Sequence, residues 1–291
     1  MLEPSTLIQT TIMTNRNLLL VLAAIVVTAL CSCGSSAVNG NASDSTLCQF
    51  NNIDKTAKMR YTQEGDTFYL ESSFQAFWPT VINGKPCTEL QQALLMALTD
   101  SAQLNTLDLA MEYLLKPSPY LQPDSMSPQP VDVISAVEGD NLSSSEINVK
   151  LQDMGDRLLT YHIYTYEFMA RAAHGIYSNR FVTYDLKTGK TIGMQDIIAD
   201  TTLLRTTILK SIKQTYDYSE DDLFIPENGL LPLPTQFYFK DNVLHAAYQV
   251  YDIASYAQGA IDAPIYPYML KPEEMKRLFT PYGLELIDYT E

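Results

Sequence analysis

The chain has 291 residues with 34 acidic and 19 basic side chains, which gives a formal net charge of −15 at neutral pH. Hydrophobic residues make up 46% of the sequence, and this excludes a largely disordered chain because it is enough to bury a core. The acidic balance argues against nucleic acid as a partner, since phosphate binding requires clustered basic side chains, whereas it permits a basic partner.

The N-terminal segment predicts export from the cytoplasm. Residues 17–30 form an uncharged apolar run that Arg16 precedes. The run is too short to span a bilayer comfortably, and its length suits the hydrophobic region of a signal peptide. Either Met1 or Met13 could be the initiating residue, because a normal signal-peptide start follows Met13.

The residues after this run resemble a bacterial lipobox, Leu30-Cys31-Ser32-Cys33, with Cys33 as the acylated residue. We therefore predict a lipoprotein signal peptide over 1–32 and a flexible tether of small polar residues over 33–47. The protein would lie in the bacterial cell envelope, bound to a membrane through its N-terminal lipid and facing the periplasm or held at the outer membrane. The alternative is a plain secretory signal with incidental cysteines.

Two cysteines remain after the tether, Cys48 and Cys87. An exported protein folds in an oxidising compartment, so this pair predicts a disulfide. It would close a loop of about 39 residues and stabilise the fold by about 3–4 kcal/mol in the chain-entropy model. Two free thiols are the alternative. Two cysteines without matching histidines do not make a zinc site, and we expect no metal and no cofactor.

The first folded segment is predicted to be an α+β module over 48–116. Residues 66–79 are rich in aromatic side chains with loose alternation, which indicates a strand that ends at proline. A helix is predicted from Thr88, with Gln91 three residues later as a capping box, and a second helix is predicted to end at Lys116.

A proline-rich connector over 117–130 follows, and a second α+β module is predicted over 131–291. Hydrophobic periodicity in that module predicts strands over 146–154, 158–168 and 181–185, a helix over 203–216, a hairpin over 236–248 and a short helix over 271–276. The fold class that follows is α+β, with two small modules that are each an antiparallel sheet with packed helices.

Several motifs of the second module carry a resemblance to a known family. Ala172-Ala173-His174-Gly175 precedes a strand that continues into Asp185-Leu186-Lys187-Thr188-Gly189-Lys190, and later come Phe237-Tyr238-Phe239 and the segment 251–259. In order and spacing these motifs resemble the RsiV-like C-terminal domain family, over about 130–286. Residues 48–116 resemble the partner domain that precedes it in the same proteins. One glycine of the family's Gly-Gly-Ala-His element is missing, since Arg171-Ala172 precede Ala173-His174.

The resemblance implies a role outside the cytoplasm. Members of the family include a membrane-bound anti-sigma factor whose outer part binds lysozyme and the non-catalytic region of a peptidoglycan deacetylase, while many others are lipoproteins of unknown role. This sequence shows neither a sigma-binding segment nor a deacetylase domain, so we do not expect the signalling or deacetylase functions here.

Three groups of residues are candidates for ligand binding. His174 could contact a ligand, or it could be a structural histidine whose ring bonds a turn. The acidic residues Asp217, Asp221 and Asp222 could dock a cationic protein, or they could be a solvated helix end. Tyr251 and Tyr256, with Asp252 beside Tyr251, could stack on a sugar, or the tyrosines could be half-buried sheet residues. His162 and His245 lie in strand patterns and are expected to be packing residues.

The sequence contains no nucleophile elbow, phosphate loop or dinucleotide motif, so we do not expect an enzyme. The leading hypothesis is a binding module for a basic, lysozyme-like protein, which the resemblance and the net charge motivate. A peptidoglycan or glycan binder is the alternative. A third hypothesis, an envelope hydrolase, requires a pocket that joins His174 with Asp252 or Asp262.

Overall fold

The computed structural model describes residues 48–63, 65–118, 120–121, 128–134 and 141–289. The predicted signal peptide, Cys33 and the predicted tether lie outside these residues. The described part confirms the α+β class, because it contains two sheets rich in antiparallel pairs together with packed helices.

The first sheet has eight strands in the order β4-β1-β2-β5-β6-β7-β8, with β3 paired to the end of β2. Two helices, α1 and α2, follow β3 in the chain. The bounds of these elements are β1 Cys48–Gln63, β2 Asp66–Ile82, β3 Lys85–Pro86, α1 Thr88–Thr99, α2 Leu107–Leu114, β4 Gln129–Pro130, β5 Leu142–Met154, β6 Leu158–Phe168, β7 Ile176–Asp185 and β8 Lys190–Thr191.

The second sheet has three antiparallel strands in the order β11-β10-β9. Four helices accompany it. The bounds are α3 Met194–Ile197, α4 Thr201–Tyr216, β9 Gln236–Lys240, β10 Val243–Tyr248, β11 Ile261–Ile265, α5 Pro272–Leu278 and α6 Pro281–Leu286. Within the described residues, no helix combines the length and the apolar character needed to cross a bilayer.

Alternating side chains explain how each sheet forms its core. On β2 the buried positions recur at every second residue, so Phe74 and Trp78 face the same side as Leu90 and Leu94 of α1. In the second core, Leu204 and Ile208 of α4 pack on the second sheet. Apolar burial of this kind is the main stabilising contribution to both layers.

The first sheet takes strands from both sides of the predicted connector. β2 pairs in parallel with β5, and Phe74 lies opposite Ile147 in the register. The expectation that each module forms a sheet of its own is therefore corrected: the two sheets divide after β8. The physical reason is that β2 has apolar side chains along its whole buried face, and a second neighbour satisfies its backbone groups on the edge away from β1.

Glutamine side chains cap the open edge of β7 against the second sheet. The Gln249 Oε1 atom accepts a hydrogen bond from the Asn179 N–H at 2.7 Å, and the Gln236 Oε1 atom accepts one from the Phe181 N–H at 3.0 Å. These amides replace the missing strand partner, which removes the unsatisfied donors that an edge strand would otherwise present.

The sequence predicts both the first residue of α1 and its N-terminal cap, and only the first prediction is confirmed. The helix begins at Thr88 as predicted, but the capping box is wrong: Cys87 occupies the N-cap position without a side-chain bond, and Gln91 Nε2 donates to the Pro79 carbonyl at 2.7 Å. The side chain of Gln91 therefore stabilises the C-terminal part of β2 and does not cap the helix.

The predicted Cys48–Cys87 disulfide is not formed in the structure, where both residues are free thiols, with Cys48 half-buried and Cys87 buried. Burial raises the pKa of the Cys87 thiol. The two residues lie at the same end of the first sheet, because Cys48 pairs with Ile82, which in turn pairs with Lys85 two residues before Cys87.

Candidate ligand-binding surface

Three chain segments that contain the predicted binding residues meet at one surface. The Tyr256 hydroxyl donates to the Gly175 carbonyl at 2.8 Å. The Phe224 N–H donates to the Ile253 carbonyl at 2.7 Å, and Gln258 Nε2 donates to the Asp222 carbonyl at 3.1 Å. We call the surface formed by residues 174–177, 217–224 and 249–259 the loop surface.

Stacked rings form the centre of the loop surface. The rings of His174 and Tyr256 lie 4.3 Å apart between centroids at an interplanar angle of 26°. Tyr251 and Tyr177 contact the same Tyr256 ring at centroid distances of 5.7 Å and 6.0 Å. Tyr251 is 53% exposed and His174 is exposed, so this aromatic cluster of His174, Tyr177, Tyr251 and Tyr256 presents ring surface to solvent.

Close packing and a hydrogen bond hold the aromatic cluster in place. Gly175, next to His174, packs so closely on the Tyr166 ring that an added Cβ would lie 2.5 Å from it, and the ring would have to move. The Ala260 N–H donates to the Tyr177 hydroxyl at 3.1 Å. Desolvation raises the pKa of Tyr256, and charge repulsion from the neighbouring tyrosines, Tyr177 first, adds to the effect, so Tyr256 is neutral at physiological pH.

His174 and Asp252 also have local structural roles. The His174 Nδ1 atom lies 2.9 Å from the Gly175 carbonyl oxygen, so the imidazole ring is hydrogen-bonded to the backbone of the next residue. The Asp252 carboxylate accepts a hydrogen bond from the Gln249 N–H at 2.8 Å and closes the turn that leads to Tyr251. Both side chains remain exposed, so these bonds fix their positions without removing them from the surface.

Three carboxylates lie on the segment 217–224, which the bond from Gln258 Nε2 to the Asp222 carbonyl links to the segment that contains Tyr256. Asp222 accepts hydrogen bonds from the Ser219 hydroxyl at 2.7 Å and the Ser219 N–H at 2.8 Å, and these bonds lower its pKa. Asp217 ends α4 with a left-handed backbone, at a φ of 56°. No described side chain pairs with the carboxylates of Asp217 or Asp221, and both residues are exposed. The loop surface therefore presents uncompensated negative charge beside stacked rings.

A second polar cluster, which sequence reasoning did not assemble, lies between the two sheets. The rings of His162, Phe181, Tyr238 and His245 stack in series, with centroid distances of 4.8 Å, 4.0 Å and 4.6 Å. The expectation that the two histidines are packing residues agrees with this stacking. Asp262 lies 2.9 Å from His245 Nδ1 and accepts from the Tyr238 hydroxyl at 3.0 Å.

Burial shifts the pKa of two residues of this second cluster, His162 and Tyr238. It lowers the pKa of His162, although the hydrogen bond to Asn179 opposes the change. Burial also raises the pKa of Tyr238, and the Asp262 charge adds to the effect. A cavity of about 250 Å³ borders His162, Asn179 and Asp262. Each of these residues lies in a strand pattern, and the sequence holds no signal that brings the strands together.

The part of the chain that matches a known family model includes α4 and the second sheet. Residues 195–266 match the family model described as "Protein of unknown function (DUF3298)". The DUF3298 match includes the acidic residues of the loop surface together with Tyr251, Asp252 and Tyr256, whereas His174 lies outside it. No curated protein matches the chain significantly.

Solved structures described as DUF3298 proteins resemble this fold. One is a DUF3298 family member from Bacteroides fragilis, with 18% identity, a TM-score of 0.55, and coverage of 82% of this chain and 96% of that chain. Another is a DUF3298 family protein from Pseudomonas aeruginosa, with 14% identity, a TM-score of 0.46, and coverage of 80% and 95%. At this identity the Bacteroides likeness shows the fold alone.

His174, Asp252 and Asp262 do not form the arrangement that the hydrolase hypothesis requires. His174 bonds the Gly175 carbonyl and stacks on Tyr256, while Asp262 pairs with His245 and Asp252 bonds its own turn. Neither carboxylate is a partner of His174. Among the described residues, no group of three or more His, Cys, Asp or Glu side chains is placed to hold a metal ion.

Proposed function

We propose that this protein is a cell-envelope lipoprotein of the RsiV-like type that acts as a binding module for a basic, lysozyme-like protein at the loop surface. The observation that carries the proposal is the juxtaposition of exposed, unpaired carboxylates with exposed aromatic rings. The few residues that dominate the binding energy of protein interfaces are enriched in Trp, Tyr and Arg, and complementary charge accelerates association and selects the partner.

The charge distribution favours a cationic partner over a neutral one. Asp217 and Asp221 have no described partner, and Lys213, the nearest cation of α4, is engaged by Glu220 at 2.8 Å. The chain as a whole carries a net charge of −15, so its long-range field attracts a basic protein toward any face. The loop surface adds the short-range contacts, through Tyr251 and the exposed Phe224, that would make the attraction specific.

Calorimetric titration with lysozyme tests the proposal. We expect a measurable heat at low salt that weakens at moderate salt, and an affinity about tenfold lower for the triple variant Asp217→Asn, Asp221→Asn, Asp222→Asn. Asparagine at 222 keeps an acceptor for Ser219, so the local turn is retained.

The control changes the net charge equally at exposed positions on elements outside the loop surface, with Asp54→Asn, Glu89→Gln and Glu273→Gln. It should bind within about twofold of the unmodified protein, because its substitutions are remote from the loop surface. Absence of heat at low salt, or equal weakening by both triple variants, would contradict binding at this surface.

A glycan is the second candidate ligand, and the exposed aromatic cluster is the observation that favours it. Sugar rings pack on tyrosine faces while the hydroxyl at the ring tip stays hydrated. Sedimentation with insoluble peptidoglycan separates the two candidates: a glycan binder pellets with the wall and Tyr251→Ala releases it, whereas a surface that docks a protein alone leaves the protein in the supernatant.

The envelope location rests on the lipobox and on the cysteine pair. Intact-mass measurement of the membrane-extracted protein should show a diacylglycerol thioether at Cys33, and Cys33→Ser should release an unlipidated protein. We also expect the two thiols, which are free in the structure, to form a Cys48–Cys87 disulfide in the exported protein. The mass should then be lower by two hydrogens, and a reductant should restore them. An unmodified N-terminus would contradict the lipid anchor, and alkylation of both thiols without prior reduction would contradict the disulfide.

A further inference from the structure

A large groove lies on the helix-covered face of the first sheet, beyond the ends of α1 and α2. Its volume is about 950 Å³. Ligand pockets in proteins generally measure about 300–1,000 Å³. Its walls are mainly apolar and include Met59, Leu98, Leu114, Pro117, Pro130 and Val250. The loop-surface residues Ile176 and Tyr177 close one end.

The floor of the groove is made by side chains of three neighbouring strands. In the sheet register Ser145 lies opposite Glu167, Ile147 lies opposite Thr165, and Thr165 lies opposite Ser178. All five residues line the groove. Small hydroxyl side chains at these positions leave the sheet face unfilled, whereas the large apolar residues farther along the same strands pack under α1.

Most polar groups of the groove are already bonded. The Thr165 and Ser178 hydroxyls bond each other at 2.7 Å, and the Gln249 amide is used by Asn179. Lys116, the cation of the groove wall, is paired with Glu112 at 3.0 Å. These groups therefore offer a ligand few free hydrogen-bond donors or acceptors.

Glu167 differs from these residues. No described residue bonds or pairs with its carboxylate, although it is partly buried and lines an apolar groove. The adjacent Ser72, which pairs with Ser145 across β2 and β5, has a buried hydroxyl without a partner. A carboxylate at a partly dry site is stabilised when a cation replaces the lost water, so its complement is an ammonium group.

We propose that this groove binds an elongated, mostly apolar molecule with one primary amino group, which pairs with Glu167. The apolar walls take the body of the molecule, and the carboxylate on the floor takes its ammonium end. The groove shares Ile176, Tyr177, Gln249 and Val250 with the edge of the loop surface. Its proposed ligand contact is Glu167 on the sheet, so this proposal does not rest on the proposed function.

Two fluorescent probes with the same fluorophore and opposite charge test this proposal. Dansylcadaverine has an apolar body with a terminal amine, and dansyl-aminocaproate replaces the amine by a carboxylate. Titrations of the full-length protein should show blue-shifted emission with dansylcadaverine and an affinity about tenfold higher than for the anionic probe.

The variant Glu167→Gln should remove this preference. Glu146→Gln is the matched control, because Glu146 lies on the neighbouring strand β5 but on the exposed, opposite face of the same sheet. Its affinity for both probes should be unchanged. Ile176→Trp, at the partly exposed end of the groove, should weaken both probes by narrowing it.

Thermal unfolding of each variant shows whether it is folded, and affinities are compared among folded variants. Equal binding of the two probes by the unmodified protein would overturn the choice of an amine. Retention of the charge preference in Glu167→Gln, or full binding of both probes by Ile176→Trp, would overturn the assignment of the site. In any of these outcomes the lysozyme titration remains a separate test of the loop surface.

Discussion

Replacing Asp185 by asparagine is expected to lower the free energy of unfolding by about 3 kcal/mol, because it breaks a buried, charge-assisted network. Asp185 has no exposed surface. Its carboxylate accepts hydrogen bonds from the Tyr282 hydroxyl at 2.7 Å, the Lys187 N–H at 2.8 Å and Arg157 Nη2 at 3.3 Å. It therefore joins the end of β7 to α6 and to the turn between β5 and β6.

The same group predicts a pH dependence. Burial disfavours the charged form of Asp185, but the hydrogen bonds from Tyr282, Lys187 and Arg157 outweigh this effect and hold its pKa below the ordinary 3.8. A carboxylate whose pKa is lowered by folding contributes stability above its unfolded pKa and loses it as the pH falls through the folded value. The network should therefore stabilise the protein fully at neutral pH and fail below about pH 4.

Denaturant unfolding at pH 7 and at a series of acidic pH values tests both the loss of stability in Asp185→Asn and the pH dependence of the network. Asp54→Asn is the control, because Asp54 is exposed on β1 and should change stability by less than about 0.5 kcal/mol. In Asp185→Asn the loss of stability below pH 4 should be smaller than in the unmodified protein. Equal stability of Asp185→Asn and Asp54→Asn at neutral pH would contradict the role of this network.

The substitution Gly283→Ala is expected to lower the free energy of unfolding by about 2–3 kcal/mol, since overpacking forces the backbone to move. A Cβ atom at Gly283 would lie 2.5 Å from the carbonyl oxygen of Ile197 and 3.2 Å from its carbonyl carbon. Both are backbone atoms at the end of α3, so no flexible side chain can yield. The close approach of α6 to α3 thus depends on glycine.

Thermal or denaturant unfolding of Gly283→Ala measures this effect, and Gly155→Ala is the matched control. A Cβ at Gly155 would meet the Leu158 carbonyl at 3.8 Å and Asn242 Oδ1 at 4.0 Å, which are ordinary contact distances. The control should therefore be close to neutral, within about 1 kcal/mol. A stability change in Gly283→Ala no larger than in the control would show that α6 can shift freely.

Elements with strong internal periodicity were predictable from the sequence. The helix α4 repeats Leu204, Ile208 and Ile212 on one face, and β6 has the bounds that its alternation predicts. The strand β1 was not predicted, because its outer positions are polar and exposed, and its pairing with β2 supplies the order that its own pattern lacks. Tertiary pairing, rather than local propensity, decides whether such a strand forms.

The candidate site was predictable as a set of residues and not as an arrangement. His174, Asp222 and Tyr256 were named from motif, charge and aromatic content, but hydrogen bonds between distant loops bring them together. The ring stack that ends at His245 and Asp262 requires residues of several strands in register. The groove above Glu167 is space that side chains leave unfilled, and its existence depends on where α1 and α2 end.

The parallel pairing of β2 with β5 has a consequence for splitting the chain. Strand partners on the two sides of this junction lie far apart in sequence, as in the bond from Ser73 Oγ to the Ser145 carbonyl across 72 positions. A fragment that ends at 116 and a fragment that begins at 131 would each leave one strand of the junction without its neighbour. Fragment complementation should therefore succeed where either polypeptide alone aggregates, because the mixture restores the missing ladder.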